Sequence, residues 1–194
     1  MTPSSNAAGR VADAMRVVLR EGFLPKEKRA YADRDAPLAL WNGQTNSQPT
    51  TVATMLELLD APRGARVLDV GAGSGWTTAL LAHLVGPTGS VLGLEILPDL
   101  ARWGAGNVEA SDQPWARLEE ADPAEVGRAA DGPYDRILVS AMATSLPTSL
   151  VDQLAPGGVM VIPVDGRMQR VERPADGGPP RSTEHGAYRF VPLV

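Results

Sequence analysis

Val67-Leu-Asp-Val-Gly-Ala-Gly-Ser-Gly-Trp76 joins a short apolar strand to an apolar helix through glycines at 71, 73 and 75. Glycine adopts left-handed backbone conformations freely and lets the chain pass close to a ligand. The helix that follows offers unpaired N–H groups at its start, which suit an anionic group. Glu95 closes the next apolar stretch, Ser90-Val-Leu-Gly-Leu-Glu95, 20 residues after Gly75. A carboxylate so placed in a strand–turn–helix–strand unit can accept hydrogen bonds from both hydroxyls of a ribose. The spacing sets this turn apart from other glycine-rich turns. A dinucleotide fingerprint needs glycine at 76, where Trp76 stands, and no Gly-Lys-Ser/Thr follows to make a phosphate loop. A nucleophile elbow centred on Ser74 would need glycines at 72 and 76.

Outward from the turn, strand and helix patterns alternate. Residues 66–70 and 90–95 read as strands, 77–85 and 98 to about 107 as helices, and 134–140 and 159–164 as near-continuous apolar strands of the kind buried in parallel sheets. Upstream, residues 9–20 place Val11, Met15, Val18 and Leu19 on one helical face, with Gly22 and Pro25 ending the helix. Residues 30–49, rich in Asp, Asn, Gly and Pro, read as an ordered loop. A second helix over 50–59 turns Met55, Leu56 and Leu59 inward. At the other end, 168–173 and 188–194 read as an antiparallel hairpin across a Gly/Pro-rich turn. The expected fold is α/β: a Rossmann-like, doubly wound, seven-stranded sheet, mostly parallel, with an antiparallel C-terminal hairpin strand and N-terminal helices. With 194 residues the chain suits one domain. Its expected parts are N-terminal helices with an active-site loop (1–62), a cofactor-binding core (63–164) and a C-terminal hairpin (165–194).

Composition removes several function classes. Hydrophobic residues form 43% and charged residues 21%, and 18 Lys+Arg against 23 Asp+Glu give a net charge of −5. That balance lacks the basic stripe of a nucleic-acid binder. The apolar run 158–164 is too short to span a bilayer, and the first nine residues carry no leader pattern, so a cytoplasmic location is expected. With no cysteine there are no disulfides, thiolate metal sites or cysteine nucleophiles. His83 and His185 are the two histidines. His83 reads as structural on its helix and His185 as a solvated loop residue, and no metal site is expected.

The turn 67–75 resembles motif I of the class I S-adenosylmethionine-dependent methyltransferases. Across essentially the whole chain, further segments are similar to the protein-L-isoaspartate O-methyltransferase family. These are Phe23-Leu-Pro, Ala30-Tyr-Ala-Asp, Gly43-Gln-Thr-Asn-Ser-Gln-Pro49, Tyr134-Asp-Arg-Ile-Leu-Val-Ser-Ala141, Leu154-Ala-Pro-Gly-Gly158, Val161-Ile-Pro-Val164 and Arg189-Phe-Val-Pro-Leu193. Leu-Ala-Pro-Gly-Gly recurs widely among methyltransferases, whereas the 44–49 and 189–193 segments are far more specific. Two positions depart from the family pattern. Asn46 stands where the family usually has isoleucine, and Ala121-Asp-Pro-Ala124 stands where it has Gly-Asp-Gly after the third strand. Pro123 there removes a backbone donor.

The resemblance implies a methyltransferase that esterifies the α-carboxylate of L-isoaspartyl residues with S-adenosylmethionine and releases S-adenosylhomocysteine. The ester then collapses to a succinimide that opens partly to aspartate. It implies Ser47 as the catalytic residue, its hydroxyl orienting the substrate carboxylate; capping of the helix near Thr50 is its alternative role. The implied cofactor-binding residues are Thr45, Asn46, Asp69, Gly71, Ala72, Gly73, Ser74, Gly75, Trp76, Glu95, Ile96, Asp122 and Pro123. Within this set Asp122 meets the adenine amine, and Asp69, at the end of its strand, either orients the glycine turn or only satisfies the turn's N–H groups. Trp41 and Trp76 flank the expected site, and Met142 and Met168 are core candidates. A carboxylate nucleophile is ionised at neutral pH, so no strong base is required. The implied partner is an isoaspartyl- or aspartyl-containing peptide bound by a monomer, with neither nucleic acid nor membrane. Two other readings stay open. One is an aspartate O-methyltransferase acting on a dedicated precursor peptide. The other is a non-catalytic S-adenosylmethionine-binding regulator.

Overall fold

The computed structural model describes residues 6–194, so most of the amino-terminal stretch read for a leader lies outside the described residues. Helix α1 (Ala7–Val17) buries Ala7, Val11 and Ala14. It stops three residues earlier than its periodicity predicts, and Leu19, expected inward, is 61% exposed. The chain extends at Leu19 and then makes a 3-10 turn (Arg20–Phe23) that sends Arg20 and Phe23 inward instead.

The expected loop 30–49 contains a small antiparallel pair, β1 (Leu38–Ala39) and β2 (Thr45–Asn46). Trp41, between them, meets Trp103 at a ring-centroid distance of 4.7 Å. Helix α2 (Pro49–Leu59) begins on proline, whose missing N–H is no loss in a first turn. The carboxylate of Asp35 accepts from the Thr50 N–H at 2.9 Å and from its hydroxyl, capping α2 from 15 residues upstream. Three arginines close the other end of α2. Arg170 Nε donates to Leu58 O and Arg136 Nε to Leu59 O, each at 2.8 Å, and Arg10 donates to Ala61 O at 2.6 Å. Cations there complement the negative end of the helix dipole.

The core then alternates: β3 (Arg66–Val70), α3 (Trp76–Val85), β4 (Ser90–Glu95), α4 (Pro98–Glu109), β5 (Ala116–Glu120), β6 (Tyr134–Val139), α5 (Thr148–Asp152), β7 (Leu154–Val164), β8 (Arg167–Glu172) and β9 (Arg181–Ala187). The seven-stranded sheet runs β5-β4-β3-β6-β7-β8-β9, parallel from β5 to β7, with β8 antiparallel to both neighbours. Successive strand residues alternate between two buried layers. Val67, Leu138 and Val161 face α1–α3, while Leu68, Ile137 and Met160 face the α5 side. β5 escaped the sequence reading because it is an edge strand in which Leu118 alone is buried.

The tail also differs from expectation. The hairpin partner of β8 is β9, six residues of which are exposed, not 188–194. Residues 188–194 leave the sheet edge and return across the end of β6. There Met142 N donates to Val191 O at 2.7 Å and Leu193 N to Met142 O at 2.8 Å. Backbone pairing with β8 suffices to hold a polar strand, whereas Phe190 and Leu193 have apolar surface to bury. His185 accordingly lies in an edge strand, 2.8 Å from Thr183 Oγ1, and not in a loop. Met168 is fully buried.

Candidate active site

The strand order reverses between β3 and β6, and a crevice opens there beyond their carboxyl ends, as open α/β sheets require. Gly71, Gly73 and Gly75 all have positive φ, but two of them serve different ends. A Cβ on Gly73 would meet nothing within 4 Å, so this glycine leaves open space beside the cavity. A Cβ on Gly75 would lie 2.6 Å from Val108 and 2.9 Å from Gly104 O, so Gly75 exists for the approach of α4. Behind the turn, Glu95 is almost buried. Its Oε2 accepts from Gly73 N at 2.9 Å and its Oε1 from Leu97 N at 3.0 Å. Each oxygen retains lone-pair capacity for a ligand hydroxyl.

Asp69 lies beneath the turn, fully buried. Thr77 and Thr78 hydroxyls both donate to its Oδ2 at 2.7 Å, and its Oδ1 has no hydrogen-bond partner. Burial pushes this carboxyl up to about 6, with the hydroxyl bonds opposing and the charge of Glu95 adding to the rise.

The N-terminal elements form the facing wall. Arg20 is 5% exposed, and its guanidinium is satisfied almost wholly by carbonyls. It donates to Ala32 O, Arg34 O and Ala36 O, to Asn46 O and Ser47 O, and through Nε to Asn46 Oδ1 at 2.7 Å. Asn46 Nδ2 donates in turn to Ser74 Oγ at 2.9 Å. Trp76 Nε1 donates to Val18 O at 3.1 Å, tying the start of α3 to the end of α1. Ser47 lines the cavity, and its hydroxyl has no hydrogen bond to a described residue. It does not cap α2, because Asp35 does.

Of the residues expected to bind cofactor, Thr45, Asn46, Gly71, Ala72, Gly73, Ser74, Trp76, Glu95, Ile96 and Asp122 line this one cavity together with Ser47. Asp69 and Gly75 stand behind its wall and Pro123 outside it. Asp122 is exposed, and its Oδ1 already accepts from Ala124 N at 2.8 Å. Trp41 is away from the cavity, against Trp103.

Among the residues lining the cavity, the reading from sequence missed Gly127, Ser140 and the tail residues 191–194, and behind the wall it missed Arg20. Arg20 follows an ordinary amphipathic helix, and nothing local marks it as buried. The tail carried a signal, an apolar terminal stretch with proline, but pairing preference alone made it a strand.

The donor and acceptor set fits S-adenosylmethionine. A buried carboxylate is available for the ribose, and the start of α3 carries no side-chain cap and opens on the cavity to receive the carboxylate of the methionine part. Sheet order, glycine turn and acidic strand end together define an S-adenosylmethionine-dependent methyltransferase. A family model described as protein-L-isoaspartate(D-aspartate) O-methyltransferase matches residues 4–194, and the chain belongs to that family. A protein-L-isoaspartate O-methyltransferase of Methanopyrus kandleri is 44% identical over 192 residues, covering 96% of this chain and 84% of that one. One from Anaeromyxobacter dehalogenans is 44% identical over 95% of this chain and 89% of its own. A crystal structure from Plasmodium falciparum, assigned as a protein-L-isoaspartate O-methyltransferase in complex with S-adenosyl-L-homocysteine, superimposes with a TM-score of 0.84 at 25% identity. The match covers 95% of this chain and 90% of that one.

Proposed function

We propose that this chain transfers a methyl group from S-adenosylmethionine to the α-carboxylate of L-isoaspartyl residues in peptides and proteins. The observation that carries the reading is the Ser47 hydroxyl, without a protein partner among the described residues, on the wall facing the glycine turn and Glu95. When bound, S-adenosylmethionine supplies a methyl group activated on a positively charged sulfur. Ser47 donates a hydrogen bond to one oxygen of the substrate carboxylate and leaves the other free to attack. That nucleophile is ionised at neutral pH, so the site needs no strong base. Glu95 orients the ribose, and the turn 71–75 holds the methionine end. Catalysis then rests on alignment, for which effective molarities are large. Residues 191–194 of the tail line the site. The methyl ester closes to a succinimide, whose opening returns part of the residue to aspartate.

The finer reading is a monomer acting in the cytoplasm on an extended peptide, without nucleic acid or membrane. The net charge of −5 supports the absence of a nucleic-acid partner. No helix among the described residues is long and apolar enough to cross a membrane.

The test is transfer of radiolabelled methyl from S-adenosylmethionine to matched peptides bearing L-isoaspartate or L-aspartate. Base-labile label on the isoaspartyl peptide alone is the expected result. Label on the aspartyl peptide, or none on either while S-adenosylhomocysteine still binds, overturns the proposal.

A further inference from the structure

We infer that Arg20 and Asn46 are positioning residues that fix the polarity of the Ser74 hydroxyl, so that its hydrogen points into the cavity as a donor to the cofactor. The inference rests on the cofactor reading above and not on the identity of the peptide.

A guanidinium has N–H groups only, so Asn46 must turn its oxygen to Arg20, and Oδ1 receives Nε at 2.7 Å. The amide nitrogen of Asn46 is thereby directed to Ser74, 2.9 Å away. An amide nitrogen can only donate, so Ser74 Oγ accepts and its own hydrogen must go elsewhere. No described residue accepts it. Ser74 is 3% exposed, yet it lines the cavity, so that hydrogen serves a ligand. The first residues of α3 favour negative charge at the same place. The acceptor this arrangement suits is the carboxylate that the cofactor carries on its methionine end. Arg20 cannot swing to undo the chain, since its other N–H groups are held by the carbonyls of Ala32, Arg34, Ala36, Asn46 and Ser47. The same guanidinium thus sets the Ser47 backbone and, two bonds on, the hydrogen of Ser74.

Asn46→Asp separates this role from packing. The substitution keeps the shape of the side chain and pairs it directly with Arg20. Both of its oxygens accept, however, so Ser74 must turn its hydrogen away from the cavity. S-adenosylhomocysteine affinity, read by isothermal titration, is expected to fall roughly tenfold with the melting temperature unchanged or higher, the factor expected of one hydrogen bond to an ionised group. Ser74→Ala, which removes the hydroxyl alone, is expected to weaken binding by a similar factor. In the Ser74→Ala background Asn46→Asp is expected to add no more than twofold. Wild-type protein that fails to bind S-adenosylhomocysteine would sink the cofactor reading itself. Wild-type binding with Asn46→Asp or Ser74→Ala within twofold of it overturns the inference. So does a further tenfold loss from Asn46→Asp in the Ser74→Ala background, since the effect would then not pass through Ser74. If Asn46→Asp does not fold, the Ser74→Ala titration alone decides.

Discussion

Ser47 and Asp69 show how differently two polar residues of one site are used. The Ser47 hydroxyl faces the cavity without a protein partner among the described residues, so its removal leaves no buried group unsatisfied. Ser47→Ala is therefore expected to lower kcat on an isoaspartyl peptide by about 100-fold, the lower end of what loss of a single positioned donor costs, with the melting temperature within about 2 °C of wild type. Parallel kinetics and thermal melts check it. Asp69 works in the opposite sense. It ionises near 4 when unfolded but at about 6 in the folded protein, chiefly through burial. Between these values the native state holds one more proton than the unfolded chain, so the contribution of Asp69 to stability falls as pH rises. The loss is on the order of 3 kcal/mol from pH 4 to 7. Denaturation of wild type and Asp69→Asn across that range should show wild type losing ground as pH increases; a constant difference would refute it. The position of Asp69 at a strand end was legible from its apolar neighbours. That Oδ1 would be orphaned was not, because it depends on the packing around the strand end in the folded chain.

At the scale of elements, α2 shows a helix whose start is set from outside its own sequence. Gln48 at its N-cap makes no side-chain cap, and Asp35 supplies one across 15 residues. Asp35→Ala should destabilise the protein by about 1 kcal/mol, the usual worth of a cap, as read from urea unfolding. Because α2 begins two residues after Ser47, the same change should also raise the peptide KM more than it changes S-adenosylhomocysteine affinity. Strands β3 and β4 were readable to the residue, since strands buried on both faces are continuously apolar. Strand β5 and the true partner of β8 were not, because an exposed edge strand has no apolar signature. The end of α1 was misplaced by three residues for a related reason. Periodicity continues through Val18 and Leu19, while the tertiary demand of Arg20 for carbonyls breaks the helix.

For the whole molecule, the site joins the glycine turn, the N-terminal wall and the C-terminal tail, so ligand binding should stabilise all of them together. At 100 times its dissociation constant, S-adenosylhomocysteine adds about 2.7 kcal/mol, which should raise the melting temperature by roughly 5–10 °C. Glu95→Gln loses a charged acceptor for the ribose and weakens the hold on Gly73 and Leu97, so the same ligand concentration should give less than half that shift in differential scanning fluorimetry. The amino-acid sequence by itself determined the fold class, the cofactor turn with its acidic partner, and the family, because these reside in local periodicity and in short contiguous motifs. Only the tertiary structure decided that Gly75 packs against α4 while Gly73 opens to the cavity. It alone brought the tail to the wall and buried Arg20 among carbonyls from two segments, 32–36 and 46–47. The physical reason is that hydrogen-bond polarity and burial are properties of neighbours. The partners of Arg20 and Ser74 come from segments at least 12 residues away in the chain and not from adjacent residues.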